Sequence, residues 1–178
     1  MQMSPPPKAT FALRPAVPDD ARKLVVLQKE IYDEDTAFVG DGPPTPESLT
    51  RRLRSLESRS SLYLVAVPSL SEQEAIVAWL ELHRLLPTKL EHVAVLTLAV
   101  ATAWRRRGIA RALLSKSETW SRRVGVRKIS LNVRANNEAA TALYLEHGFI
   151  TEGRERAHIR VDDGFEDNLI MARFLKNF

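Results

Sequence analysis

No cysteine occurs among the 178 residues. That absence excludes disulfides, thiolate metal sites and a covalent cysteine intermediate, and it fits a reducing, cytoplasmic setting. The four histidines, His83, His92, His147 and His158, show no HxxxH or HExxH spacing, so no metal centre is expected. Long apolar runs are lacking too. The longest, Val93 to Ala103, is about half of what a membrane helix needs. Met1 to Lys8 is short, polar and Pro-rich without an apolar centre, so no signal peptide is expected. There is no internal repeat, and no low-complexity tract beyond Pro5-Pro6-Pro7.

Charge of one sign is only in modest excess, with a net charge of +4 and a pI of about 9.6. An anionic partner fits this balance, whether nucleic acid, acidic protein or polyphosphate, and charge alone does not choose. The arginines are not interleaved with aromatics and no RNP, zinc-finger or helix-turn-helix pattern occurs, so nucleic acid is not the expected partner.

What is present is a globular composition, 44% hydrophobic and 27% charged, on a length suited to one domain. Residues 1–9 are expected to form a flexible tail and 10–178 a single domain. Thr10 to Arg14 reads as a first strand. Asp19 to Asp33 reads as a helix with Leu24, Leu27, Gln28 and Ile31 at helical spacing. Thr45-Pro46 opens a second helix as N-cap and first-turn proline, with Leu49, Leu53 and Leu56 as its buried stripe. Ser61 to Val67 and Ala75 to His83 read as strands joined by the polar turn Ser69 to Glu74. Glu91 to Ala101 is apolar on both faces, as a central strand covered on both sides would be. A helix from Arg107-Gly108 to Val124 follows, then a strand from Arg127 to Arg134 that turns Ile129, Leu131 and Val133 inward. A short helix runs from Asn137 to His147 and stops at Gly148. Phe149 to Glu155 and the region around Ile159 are strand-like, and Asp163-Gly164 turns the chain into a last strand, Asn168 to Leu175. This order predicts a mixed α/β sheet with a parallel crossover between Glu91–Ala101 and Arg127–Arg134.

The junction Trp104-Arg105-Arg106-Arg107-Gly108-Ile109-Ala110 carries most information. A buried strand ends, a basic loop turns at a glycine, and a helix begins with unpaired N–H groups and the positive end of its dipole. Such a start suits phosphate oxygens, and a plain solvated turn with three surface arginines is the alternative. The segment is neither a Walker A loop nor a dinucleotide GxGxxG.

Here the sequence resembles the GCN5-related N-acetyltransferases. Arg105, Gly108 and Ala110 satisfy their Gln/Arg-x-x-Gly-x-Gly/Ala motif, after a strand ending in Ala99-Val100. Leu131-Asn132-Val133 through Asn137-Glu138-Ala139-Ala140, with Leu143-Tyr144 and Gly148-Phe149, is similar to a second family block, LxVxxxNxxAxxLYxxxGF. Asp162-Asp163-Gly164 with Asp167 and Met171 resembles the closing hairpin of many members. The resemblance implies the family's fold: a mixed sheet of about six to seven strands, helices on both faces, and a parallel crossover at the cofactor site.

It also implies acetyl-coenzyme A as co-substrate, a primary amine of a small molecule or peptide as acceptor, and direct attack in a ternary complex. The main chain of Leu98, Ala99 and Val100 would pair with the pantetheine arm. Arg105, Arg106, Arg107, Gly108, Ile109, Ala110 and Arg111 would hold the pyrophosphate. Asn132, Asn137 and Ala140 fall on the cofactor path, and Tyr144 would contact it and protonate the departing thiolate. A phenol of pKa ~10 keeps its proton at neutral pH and can donate it. Ribosomal-protein acetyltransferases carry a Glu where Asn132 stands here, and Asn cannot take a proton. Glu81, His83, Glu91 and His92 are the remaining candidates for the base, with Glu81 foremost. Trp79 and Trp104 read as core or sheet-edge aromatics, and Phe38 lies where the family's acceptor wall falls. Arg122-Arg123 and Arg127-Lys128 are either a solvated basic face or a contact for the 3′-phosphate. Longer-chain acyl transfer and an inactive acetyl-coenzyme A sensor are the other readings. Homodimers are common in the family.

Overall fold

Apolar residues on both sides of the central strands require cover on both faces of the sheet. In the computed structural model, which describes residues 10–34, 38–40, 42–56, 59–69 and 75–175, that is how the chain folds. Seven strands, β1 (Phe11–Pro15), β2 (Ser61–Pro68), β3 (Ala78–Arg84), β4 (Val93–Val100), β5 (Lys128–Arg134), β6 (Ile150–Val161) and β7 (Gly164–Phe174), form one sheet. Their order is β1-β2-β3-β4-β5-β7-β6. Every pairing is antiparallel except that of β4 with β5.

Four helices cover the sheet: α1 (Ala21–Asp33), α2 (Pro46–Arg54), α3 (Ile109–Val124) and α4 (Glu138–Glu146). Leu64, Leu80, Leu82, Leu96, Ile129, Leu131 and Val133 share one core with Ile109, Leu113 and Trp120 of α3 and Tyr144 of α4. On the opposite face, Tyr63, Val65, Trp79 and Ala99 meet Leu24, Leu27 and Ile31 of α1 and Leu49 and Leu53 of α2. Each such fully buried aliphatic contributes roughly 1.5–3 kcal/mol.

Local chemistry fixes the helix ends. Before α1, a 3-10 turn at Pro18–Asp20 brings Asp20 against Arg14, whose two terminal nitrogens donate to its carboxylate at 2.6 and 2.8 Å. Burial alone would raise the Asp20 carboxyl, but the bonds from Arg14 and from the Val17 N–H outweigh it and hold it below the usual carboxylate range. Thr45 caps α2 by accepting from the Ser48 N–H at 3.2 Å. Asn137 caps α4 through the Ala140 N–H at 3.1 Å. Gly148, at φ 75°, ends α4 in the left-handed conformation.

The elements that position the site are β4 and β5. Their parallel register covers only Val93↔Lys128, Ala94↔Ile129 and Val95↔Ser130, after which the strands diverge. β5 turns instead to β7 and pairs with it over all seven residues, from Lys128↔Phe174 to Arg134↔Asn168.

Two expectations needed adjustment. The strand-like stretches from Phe149 and around Ile159 are one strand, β6, bent by register shifts between Thr151 and Gly153 and between Glu155 and Ile159. β7 starts at Gly164, not Asn168, because the polar residues Glu166 and Asp167 are bound within the sheet. Arg134 and Asn136 hold Glu166, while Arg154 and the Ala157 N–H hold Asp167. The expected tail 1–9 and residues 70–74 of the expected turn lie outside the described residues. No helix among the described residues is long and apolar enough to cross a membrane.

Candidate active site

The divergence of β4 from β5 opens one edge of β4. Leu85 N–H bonds to Val93 O, and Ala101 N–H to Val77 O, so the odd-numbered residues of β4 turn their peptide groups toward β3. By the alternation of an antiparallel ladder, Leu98 and Val100 turn theirs the other way, into the opening. This is the only stretch of β4 with neither β3 nor β5 opposite those groups.

A 3-10 turn at Thr102–Trp104 carries the chain from β4 to α3. Arg106 and Gly108 both adopt positive φ, 62° and 85°. The left-handed Gly108 bends the loop back and becomes the N-cap of α3. The first bond into the helix is Ala112 N–H to Gly108 O, at 3.0 Å, so the amides of the preceding turn have no intrahelical acceptor.

These parts enclose a cavity of about 890 Å³. Leu98, Ala99, Val100, Arg105, Arg106, Arg107, Gly108, Ile109, Ala110, Arg111, Asn137, Ala140 and Tyr144 all line it. Glu81 and Asn132 do not. Glu81 is buried on the α1–α2 side of β3 and bound by Arg52. Asn132, exposed on the same side of β5, accepts from Asn168 Nδ2 at 3.1 Å. Of the other candidates for the base, His83 is held below its ordinary value by burial and by Arg52.

The arginines of the loop are not equivalent. Arg105 donates from Nε to Val100 O at 3.0 Å and pairs with Glu34 at 2.5 Å. Glu34, just past the end of α1, also accepts from Thr102 Oγ1 at 2.5 Å. Burial would raise its carboxyl, and these two partners lower it. Arg107 lies 4.7 Å from the Trp104 ring and donates to Ala103 O, and Arg111 pairs with Glu146 of α4. Among the described residues Arg106, unlike the other arginines of the loop, has no ion-pair, hydrogen-bond or ring partner.

Tyr144 is 6% exposed, packs its ring 5.4 Å from Phe149, and faces the cavity. Burial raises its phenol well above the ordinary tyrosine value, so it is a neutral O–H donor at any physiological pH. Phe38 stacks at 5.6 Å on Trp79 and meets Tyr32 at 5.2 Å, forming an aromatic wall beside Ile31.

Ile31, Trp104, Ala139, Ala142, Leu143 and Glu146 also line the cavity. From the sequence Ile31 read as helix core, Trp104 as a core or sheet-edge aromatic, Ala139 and Leu143 only as motif positions, and Ala142 and Glu146 carried no reading. Those on α4 were accessible in principle, since Ala139, Ala140 and Leu143 sit at i+2, i+3 and i+6 from Asn137. Ile31 was hidden because its helical spacing marks it equally as core. Arg127 lies with Arg59, Arg84 and His92 in a separate concavity beside the N-terminal ends of β4 and β5. β4 is eight residues long, about 25 Å, so Arg127 and Lys128 stand at the wrong end to meet a molecule in the main cavity. Lys128 pairs with Glu152 at 2.7 Å.

The profile of the Acetyltransferase (GNAT) family matches residues 28–149. The N-alpha-acetyltransferase RimI of Mycobacterium tuberculosis is 33% identical over 147 residues, 80% of each chain. The [ribosomal protein bS18]-alanine N-acetyltransferase of Escherichia coli is 37% identical over 83 residues, 47% of this chain; the match spans only 56% of that enzyme. Among solved structures, a GNAT-family acetyltransferase from Streptococcus pneumoniae superposes with a TM-score of 0.84 at 24% identity, over 93% of this chain and 99% of that one. The yncA protein of Salmonella typhimurium, solved with acetyl-CoA, gives 0.84 at 15% identity over 94% and 95%.

Proposed function

The chain belongs to the Acetyltransferase (GNAT) family, and on that footing we propose that it transfers an acetyl group from acetyl-coenzyme A to the α-amine of a peptide or protein. The observation that carries this reading is the convergence, on one cavity, of an unpaired β4 edge, an open α3 start and a buried neutral phenol.

The donor set fits such a co-substrate. Amides at the α3 start, together with the Arg106 guanidinium, suit a pyrophosphate. The Leu98 peptide group suits an amide of the pantetheine arm, whereas Val100 O is already taken by Arg105. Acetyl-coenzyme A supplies the activated acyl carbon and a thiolate leaving group. The Leu98 N–H, pointed into the opening, is the donor available to the thioester oxygen. Tyr144 gives its proton to the departing sulfur and regains one from solvent. The acceptor loses a proton before attack, and an α-amine of pKa ~8 does so far more readily than a lysine of ~10.4. The two curated relatives are named an N-alpha-acetyltransferase and a ribosomal-protein-alanine N-acetyltransferase, and alanine has no side-chain amine, which supports the α-amine over a side-chain amine.

The test is thiol release from acetyl-coenzyme A in the presence of peptides with a free N-terminus, the same peptides with that amine blocked, and peptides whose sole amine is lysine. Transfer confined to the free α-amine supports the reading. Equal transfer to the lysine peptide overturns the acceptor assignment.

A further inference from the structure

An acceptor that arrives as an ammonium ion needs an anionic group that is not already neutralised. Among the described residues, the acidic side chains around the opening are nearly all spent. Glu34 is held by Arg105 and Thr102, Glu81 by Arg52, and Glu146 by Arg111. Glu166 is held by Arg134 and Asn136, and Asp167 by Arg154 and the Ala157 N–H. Glu155, on β6, is different. Among the described residues it has no arginine or lysine partner. Its Oε2 accepts from the neutral Asn168 amide at 2.6 Å and lies 3.7 Å from His158 Nε2. Its side chain remains 38% exposed.

Its placement follows from the register. Glu155 sits opposite Asn168 of β7, which sits opposite Arg134 of β5. Partners across an antiparallel pair share a face, so Glu155, Asn168 and Asn132 are on the side of the sheet that carries Trp79 and Glu81. The hydrophobic core beneath α1 and α2 draws its strand residues from β2, β3 and β4, and none from β5, β7 or β6. Asn132 is the first β5 residue on this face beyond Ser130, where pairing with β4 stops. Asn168 is itself only 6% exposed, and it donates to both Asn132 Oδ1 at 3.1 Å and Glu155 Oε2 at 2.6 Å. A buried amide thus fixes an exposed carboxylate on this face, joined to Asn132 of β5 through the single side chain of Asn168.

We propose that Glu155, oriented by Asn168 and flanked by Asn132, is the site that receives the ammonium group of the acceptor at the β4–β5 opening. This rests on the acetyl-transfer reading above and names the group that selects its substrate: a cationic amine with no acidic group beside it. Glu155 binds the acceptor, and Asn168 is a positioning residue. The carboxylate also offers an acceptor, through water, for the proton the amine must lose before its nitrogen forms the new bond to the acyl carbon.

The experiment uses the full chain, wild type and Glu155→Gln, with acetyl-coenzyme A and a peptide bearing a free N-terminal alanine. Glutamine keeps the shape and can still accept from Asn168, but it carries no charge. The expected result is a fall of about ten- to a hundredfold in kcat/KM for the peptide, mostly as a rise in its KM. The KM for acetyl-coenzyme A and the melting temperature should be unchanged, and Glu155→Asp should retain most of the activity. A Gln variant with wild-type peptide kinetics overturns the inference and leaves the acetyl-transfer reading standing. Wild-type protein that is stabilised by acetyl-coenzyme A yet transfers to no α-amine overturns it as well. Failure of acetyl-coenzyme A to stabilise the wild type overturns both.

Discussion

Gly108 separates backbone strain from occupancy of the cavity, because two substitutions there share one cost and differ in the other. Its φ is 85°, and a Cβ built on it would meet no atom within 4 Å. Alanine therefore causes no clash and introduces only the left-handed strain, about 1–2 kcal/mol. For a chain of this size that lowers Tm by about 2–8 °C. Tryptophan incurs the same strain and also sends an indole from a residue that lines the 890 Å³ cavity. Gly108→Ala and Gly108→Trp should thus melt within a few degrees of one another. Calorimetric titration with acetyl-coenzyme A should show the alanine variant within about fivefold of wild type. The tryptophan variant should lose at least about a hundredfold, equivalent to ~2.7 kcal/mol. Equal affinities for the two variants would refute the assignment of the α3 start as the binding site.

Tyr144→Phe should lower kcat by about a hundredfold or more while leaving acetyl-coenzyme A affinity nearly intact, measured by thiol release and titration; unchanged turnover would make the phenol mere packing. Glu34→Gln should weaken the tie between α1 and the loop and let Arg105 leave Val100 O. Its expected signature is a several-fold change in KM for acetyl-coenzyme A without loss of Tm beyond about 3 °C, and unchanged kinetics would count against a positioning role. At high pH, burial keeps the phenols of Tyr144 and Tyr63 protonated in the folded state, with Tyr63 pushed up to about 12. The unfolded chain releases those protons from about pH 10, so stability falls as pH rises between that value and the folded ones, by ~1.4 kcal/mol per unit per phenol. Denaturant midpoints from pH 9 to 12 should drop accordingly, and Tyr63→Phe should flatten the slope.

Much of this was legible in the sequence because it rests on local rules. The 3.6-residue spacing of Leu24, Leu27 and Ile31, the Thr45-Pro46 start and the Gly148 stop each impose one conformation nearly regardless of context. The loop from Arg105 to Ala110 was legible for the same reason, since a glycine at a strand–helix junction has few geometries available. What escaped depends on partners distant in sequence. Nothing between Gly164 and Asp167 looks like strand until Arg134, Asn136 and Arg154 are brought alongside to bind Glu166 and Asp167. The same holds for Arg105, whose charge suggested phosphate but whose guanidinium reaches 71 positions back to Glu34. Glu81 was attractive as an acid on a strand near the opening. Only the fold shows it walled off beside Arg52, while Glu155, four strands away on β6, keeps its charge exposed.

The most direct test of the account is thermal melting of the full chain with and without acetyl-coenzyme A at about 100 times its dissociation constant. Binding to the folded state alone adds ~2.7 kcal/mol, which predicts a rise in Tm of roughly 5–10 °C. An unchanged Tm would contradict the claim that this cavity holds acetyl-coenzyme A.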